Sequence, residues 1–492
     1  MTQARLTTNF PPLRLVLSVA GEAESHYEIG VMYARGLGTR HDDVEAVKWF
    51  RRSASTGYAL AEYALARMYG AGQGVPQDDA EALAWYRRAA DQGYAPAQYA
   101  LARICASPKG RPHDPAEAVS WYRRAAQQGL ANAQNDLGVM LELGQGVAQN
   151  HVEAVAWYRR AAEQGHPKAQ NNLGFMYERG RGVSQDYAEA LAWYRKAADR
   201  GNADALVNLG VLYERGRGVR QDYTEAIEWF RKAADLGIAN AQANLGYLYE
   251  HGLGAPQDHL EAARLYRSAA EQGHAQAQNN LGVFYQSGRG VVQDHIEARR
   301  WFLKAAEQRF ADAQYNLGVM CEKGQGGPQD HGEARRWFRA AADQGNVGAQ
   351  FGLGVLFDHG YGVERDYAEA AKWFRQAAEE GNAAAQLNLG IMYFYGRGVP
   401  QDYLEAHKWL NLAAARFLPS EAEKRARAVK NRDVVARKMT PQRIEDAQDL
   451  ARAWRPRHPA RALETGLTVP AMHPATSGRS TTPLLHSIAS SR

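Results

Sequence analysis

Residues 203–237 read ADALVNLGVLYERGRGVRQDYTEAIEWFRKAADLG, and their spacing decides the fold. In the first half Ala205, Leu209, Leu212 and Tyr213 recur at helical intervals, and in the second Ala226, Trp229, Phe230, Ala233 and Ala234 do the same. That is the period of helices with one apolar face, not the alternation of a strand. Gly216-Arg217-Gly218 separates the two runs, and Gly237 closes the second, where a glycine can take the left-handed conformation that ends a helix. Asp222-Tyr223-Thr224-Glu225 opens the second helix: Asp caps the first free amides, and Glu is placed to return a bond to the cap residue's own amide.

The pattern recurs every 36 residues. Tryptophans stand at 49, 85, 121, 157, 193, 229, 301, 337, 373 and 409, with Leu265 in the vacant place. The Glu of the cap recurs from Glu45 to Glu405, and the cap itself is Asp except for Asn150 in the fourth unit. Eleven units without insertion therefore span about 22–417, a stacked array in which each unit buries its apolar face on its neighbours. Two joints depart from the pattern and are expected to be bent or softer. Cys105-Ala106-Ser107-Pro108-Lys109-Gly110 replaces the usual Tyr and first loop Gly in unit three, and Arg309 replaces the capping Gly of unit eight.

The pattern Ala205, Leu209, Gly210, Tyr213, Gly216, Gly218, Val219, Asp222, Ala226, Trp229, Phe230, Ala233, Ala234 and Gly237 resembles that of the Sel-one-like repeat family, over about 80% of the chain. The resemblance implies an all-α, right-handed superhelical solenoid of tandem helix-turn-helix repeats, related to tetratricopeptide repeats, whose members are mostly adaptors and scaffolds. The Cys-rich bacterial branch of that family, with some penicillin-related activity, matches poorly because the cysteine pairs are missing.

Composition narrows the classes further. With 492 residues, 45% hydrophobic and 23% charged, most of the chain should fold. Two cysteines exclude a disulfide-stapled scaffold, and Cys105 and Cys321, six units apart at the same repeat position, read as small buried hydrophobes that do not pair. No run reaches the roughly 18 apolar residues of a membrane span. The net charge of +5 is uneven: residues 418–492 carry +7, residues 1–20 carry +2, and the body between them −4. A nucleic-acid partner, which needs a basic stripe on folded structure, is not expected.

The ends differ from the array. Residues 418–454 read as two capping helices, the second opened by Thr440-Pro441 and running through Trp454. Residues 455–492, with prolines and Ser/Thr and no periodicity, read as a disordered basic tail. Residues 1–21 have two readings: a vestigial cap helix, with Leu13 in the Trp register and Gly21 at the capping Gly, or a weak signal peptide whose short apolar core is broken by Arg14.

No catalytic, cofactor-binding or metal-binding residue is expected, and the protein is not read as an enzyme. Carboxylates repeated in every cap are structural, since catalysis needs one tuned constellation. His259, His295 and His331 align after the cap Asp, but ligands must converge at about 2.0–2.1 Å on one ion, whereas packed helices stand about 8–10 Å apart. A surface ladder is expected there. The Gly-x-Gly pairs follow no strand and precede no Lys-Ser/Thr, so the glycines read as punctuation.

What remains is a face of the first helices, marked by Val207, Val211 and Glu214; by the resemblance it lines a concave groove. Its apolar row is Val139, Phe175, Val211, Tyr247, Val283, Val319, Val355 and Ile391, and its acidic row is Glu142, Glu178, Glu214 and Glu250, resumed at Glu322 and Asp358. These are the candidate partner-binding residues. The competing reading packs the apolar row between neighbouring first helices. The expected function is a monomeric scaffold that binds a protein or peptide, without nucleic acid, cofactor or membrane insertion, in the cytoplasm ahead of the periplasm or outside. The alternatives are an exported or cell-envelope repeat protein in surface assembly or host contact and, more remotely, a hydrolase of the Cys-rich branch.

Overall fold

A computed structural model describes residues 21–108 and 113–458. The expectations for residues 1–20, for Lys109 and Gly110, and for the tail beyond His458 lie outside those residues. Among the described residues there are 24 α-helices, one short 3-10 turn and no strand. The chain forms two compact bodies, divided in sequence between Gln221 and Asp222. Each is a succession of antiparallel helix pairs of about 13 residues per helix, such as Ala131–Leu143 with His151–Glu163 in the first body and Ala275–Ser287 with His295–Glu307 in the second.

The punctuation works locally as expected. The Asp222 carboxylate accepts from the amides of Thr224 and Glu225 at 2.9 and 3.1 Å, and Asn150 accepts from the Glu153 amide at 3.0 Å. First helices end on a glycine with φ between 63 and 75° in every unit except the third, where Ser107 is extended. The reciprocal bond of the capping box does not form. The amide it would satisfy is already taken, because the cap residue's N–H donates to a carbonyl near the end of the preceding first helix, as Asp258 does to Tyr249 (2.9 Å) and Asn150 to Leu141 (2.9 Å). The freed Glu side chain accepts instead from the indole N–H four residues on, in Trp85, Trp121, Trp157, Trp337 and Trp409.

Not every glycine is punctuation. Gly138, Gly174, Gly246, Gly282, Gly318, Gly354 and Gly390 lie inside first helices, where a Cβ would run into the ring or the Leu410 side chain that the second helix presents. Small size at this place lets the two helices close on each other. Tyr158, Tyr194, Tyr266, Phe302, Phe338 and Phe374 are consequently buried completely. A glutamine ladder runs behind them: Gln134 donates to the Ala126 carbonyl (3.1 Å) and accepts from Gln164 (2.7 Å), and the same pair recurs at Gln98/Gln128, Gln278/Gln308 and Gln314/Gln344. These four buried amides thus find partners within a unit and its neighbour, as burial of polar groups demands, whereas the buried Oε1 atoms of Gln170, Gln350 and Gln386 at the same place have none among the described residues.

Arg309 keeps the turn of its joint. It adopts φ 65°, the conformation of the glycines it replaces, and the turn keeps its bonds from Arg309 to Ala306 (2.8 Å) and from Phe310 to Ala305 (3.1 Å). An L-residue is strained there. Arg309→Gly is expected to stabilise the protein by about 1 kcal/mol, less the extra chain entropy glycine brings to the unfolded state; a urea-unfolding midpoint that does not rise would contradict this.

At the C-terminal end of the second body, helices Ala422–Ala436 and Pro441–Ala453 cover the last pair. Ala428 and Val435 join Leu410, Ala413 and Phe417 in one buried cluster, and Trp454 lies edge-on to Trp409 at 6.4 Å with Arg416 over its ring.

Candidate functional site

The expected apolar row is half-buried in every unit: Val139, Phe175 and Val211 in the first body, and Tyr247, Val283, Val319, Val355 and Ile391 in the second. Its side chains do two things at once. Val139 and Phe175 pack against one core cluster, and Val283, Val319, Val355 and Ile391 against others, yet none is withdrawn from solvent. Phe175 also sits beneath two guanidinium groups, those of Arg179 and Arg181, at 5.5 and 5.6 Å.

The acidic row is tied into the fold. Tyr158, Tyr194 and Tyr266 donate their hydroxyls to Glu142, Glu178 and Glu250 at 2.8, 2.9 and 2.7 Å. An arginine from the next unit's loop closes each group: Arg181 on Glu142 (3.8 Å), Arg217 on Glu178 (3.7 Å) and Arg289 on Glu250 (3.2 Å). Desolvation and the neighbouring carboxylate push all three tyrosine hydroxyls well above their ordinary pKa. Among the described residues Glu214 has no such ion pair, and burial raises its carboxyl's pKa. Sequence inspection missed these triads, although a signal was there. Tyr follows Glu by sixteen residues in units four, five and seven, whereas unit eight pairs Gln286 with Phe302.

The remaining candidates are the cysteines and the aligned histidines. Cys105 and Cys321 are free and buried, and burial with a nearby glutamate pushes both thiols up to about 11, away from the nucleophilic thiolate. His259, His295 and His331 are half-buried, not a surface ladder: each carries a buried Nδ1 without a partner, as does His151 at the same place in unit four. The reason is that the first residue of each second helix lies under the next unit's loop, where Gly290, Gly326 and Gly362 approach its backbone too closely to admit a Cβ. Among the described residues no three His, Cys, Asp or Glu side chains are placed to share a metal ion, and no helix is long and apolar enough to cross a membrane.

Eleven consecutive segments, 23–58, 59–94, 95–130, 131–166, 167–202, 203–238, 239–274, 275–310, 311–346, 347–382 and 383–416, match the Sel1 repeat. The chain belongs to the Sel1 repeat family. A crystal structure described as a protective antigen present in uropathogenic Escherichia coli strains and displaying an SLR fold is 38% identical, with a TM-score of 0.74, covering 94% of this chain and 99% of that one. A Sel1 repeat protein from Oxalobacter formigenes is 35% identical over 63% of this chain and 92% of its own, with a TM-score of 0.49. No curated protein sequence matches. The expected class, tandem helical repeats without strands, is that of these Sel1 repeat proteins, a family made up in general of protein-interaction scaffolds and typically without enzymatic activity.

Proposed function

We propose that this Sel1 repeat protein is a scaffold that holds a protein or peptide partner along its first helices, with Val139, Phe175, Val211, Tyr247, Val283, Val319 and Val355 as apolar anchors. One observation carries the reading: the same first-helix position is apolar and only half-buried in units four to six of the first body and units seven to eleven of the second, a row that each body keeps partly open. Glu142, Glu178 and Glu250 serve the partner indirectly, since the triads hold their charge in a fixed place and cancel much of it. The stripe therefore binds mainly by burial, at about 25 cal/mol per Å² of apolar area, and polar neighbours set the register.

The test uses the intact protein as bait. Val211→Asp and Val283→Asp are expected to lose a partner that the natural chain retains while their circular dichroism melts stay within a few degrees. Lowered melts would instead place the valines between helices, where an unpaired buried charge is costly, and would sink the proposal.

The 38% identity to a protective antigen across 94% of the chain favours a second reading, an exported or cell-envelope scaffold. Protease accessibility on intact cells separates it from an internal one.

A further inference from the structure

We propose a second docking surface, between the second helix of unit nine and the first helix of unit ten, where Arg335, Arg336 and Arg339 surround a cavity of about 330 Å³ floored by Leu353 and Phe357 and receive an acidic side chain from a protein partner. It does not rest on the first-helix stripe.

The departure from the repeat is what marks the place. In units one to seven and in unit ten the residue at Arg335's position is Val, Leu, Ile or Ala, almost always buried, and in unit eleven it is the buried His407. Only units eight and nine place an arginine there, Arg299 and Arg335. A second departure meets it from the facing helix. Where the facing residue is tyrosine, a second-helix arginine donates to its hydroxyl, as Arg231 does to Tyr249 (2.8 Å) and Arg375 to Tyr393 (2.7 Å); where it is Cys105 or Leu141, Arg87 and Arg123 take Glu117 and Glu153 instead. In unit ten the tyrosine is Phe357, which has no hydroxyl, and Arg339 turns to the exposed Asp343 (3.0 Å) and over the Trp373 ring.

Unit eight shows what belongs in the cavity. Arg299 stands there opposite Cys321, at the position that is tyrosine in seven of the eleven units, and takes the carboxylate of Glu333 at 2.7 Å. The corresponding carboxylate in unit ten is Glu369, but Lys372 holds it at 2.7 Å. Arg335 and Arg336 are exposed and make no ion pair among the described residues. The same arrangement that is closed by an internal carboxylate at units eight and nine is open at units nine and ten, with one more guanidinium and an aromatic floor. Forked guanidinium donors match a carboxylate, and Arg beside an aromatic side chain is the composition of interface anchors.

The probe is a fluorescein-labelled eight-residue peptide alternating Glu and Leu, titrated with the full chain at low salt and read by anisotropy. Saturable binding is expected, with at least a tenfold loss in the Arg335→Gln/Arg336→Gln protein, whose melt should not change because both side chains are exposed. Lys372→Ala should also weaken binding, since Glu369 is then released to Arg335, and adding Glu369→Gln should restore it. Unchanged affinity in the double arginine variant, full binding by Lys372→Ala, or equal binding of a Lys/Leu peptide would overturn the proposal. Tighter binding of inorganic phosphate or of a single-stranded oligonucleotide would overturn its assignment to an acidic protein segment.

Discussion

Above about pH 10 the protein is expected to lose stability steeply, because unfolding then releases protons from buried tyrosines. Tyr86, Tyr122, Tyr158, Tyr194 and Tyr266 are buried, and desolvation raises the pKa of each hydroxyl above its ordinary value. The sign follows from the direction. A raised folded-state pKa keeps the native hydroxyl neutral, so its contribution is complete below the unfolded value near 10 and is lost as pH climbs from there towards the folded one. Each buried tyrosine removes about 1.4 kcal/mol per pH unit above 10, and five acting together exceed the whole stability of many domains within roughly one to two units. Urea-unfolding midpoints should be flat between pH 7 and 9 and collapse by pH 11. The Tyr158→Phe/Tyr194→Phe/Tyr266→Phe protein should begin less stable, since three glutamates lose a donor, yet fall less steeply. A midpoint that does not move at pH 11 would show that these hydroxyls ionise freely in the native state.

Gly282→Val should destabilise the second body strongly. A Cβ at Gly282 would lie 2.7 Å from Cδ1 and Cε1 of Phe302. That ring is fully buried and cannot retreat, being packed with Ala298, Ala305, Leu317 and Met320. Overpacking of this kind costs up to about 3 kcal/mol, and a β-branched side chain leaves little rotamer freedom to relieve it. Gly282→Ala should cost much less, for two reasons. Units two and three already carry Ala66 and Ala102 at this place, in the same units as Tyr86 and Tyr122, and alanine regains about 1 kcal/mol of helix propensity. Because each repeat leans mainly on its neighbours, the loss in Gly282→Val should appear in hydrogen exchange around residues 275–307 first. Protection there equal to that of the natural chain would refute the close-packing role of the helical glycines.

The class of fold was legible from periodicity because every interaction that defines a repeat is short in sequence. Helical spacing, the Asp cap and the left-handed glycine are decided within a few residues of one another, and a 36-residue step repeats that decision eleven times. One reading of a single residue failed where a local rule had a competitor from the preceding helix. The capping-box bond of Glu lost to a first-helix carbonyl that had already claimed the amide, as at Asp258 and Tyr249.

Residue types in the candidate site could be read from the chain, but their state could not. Glu142, Glu178 and Glu250 were recognisable as an acidic row; only tertiary packing shows that a tyrosine sixteen residues on and an arginine thirty-nine residues on consume that charge. Arg335 is likewise one more charge on a helix until it is seen to line a cavity with Phe357, while Glu369, the counterpart of the carboxylate that Arg299 takes, is held by Lys372. Sequence alone determined the repeat, its phase and its helices, because these depend on local backbone preference and nearest-neighbour burial. Which charges are spent inside the protein and which stay available to a partner was decided by tertiary structure, since a charge is neutralised by whatever lies within about 4 Å in space, at any separation along the chain.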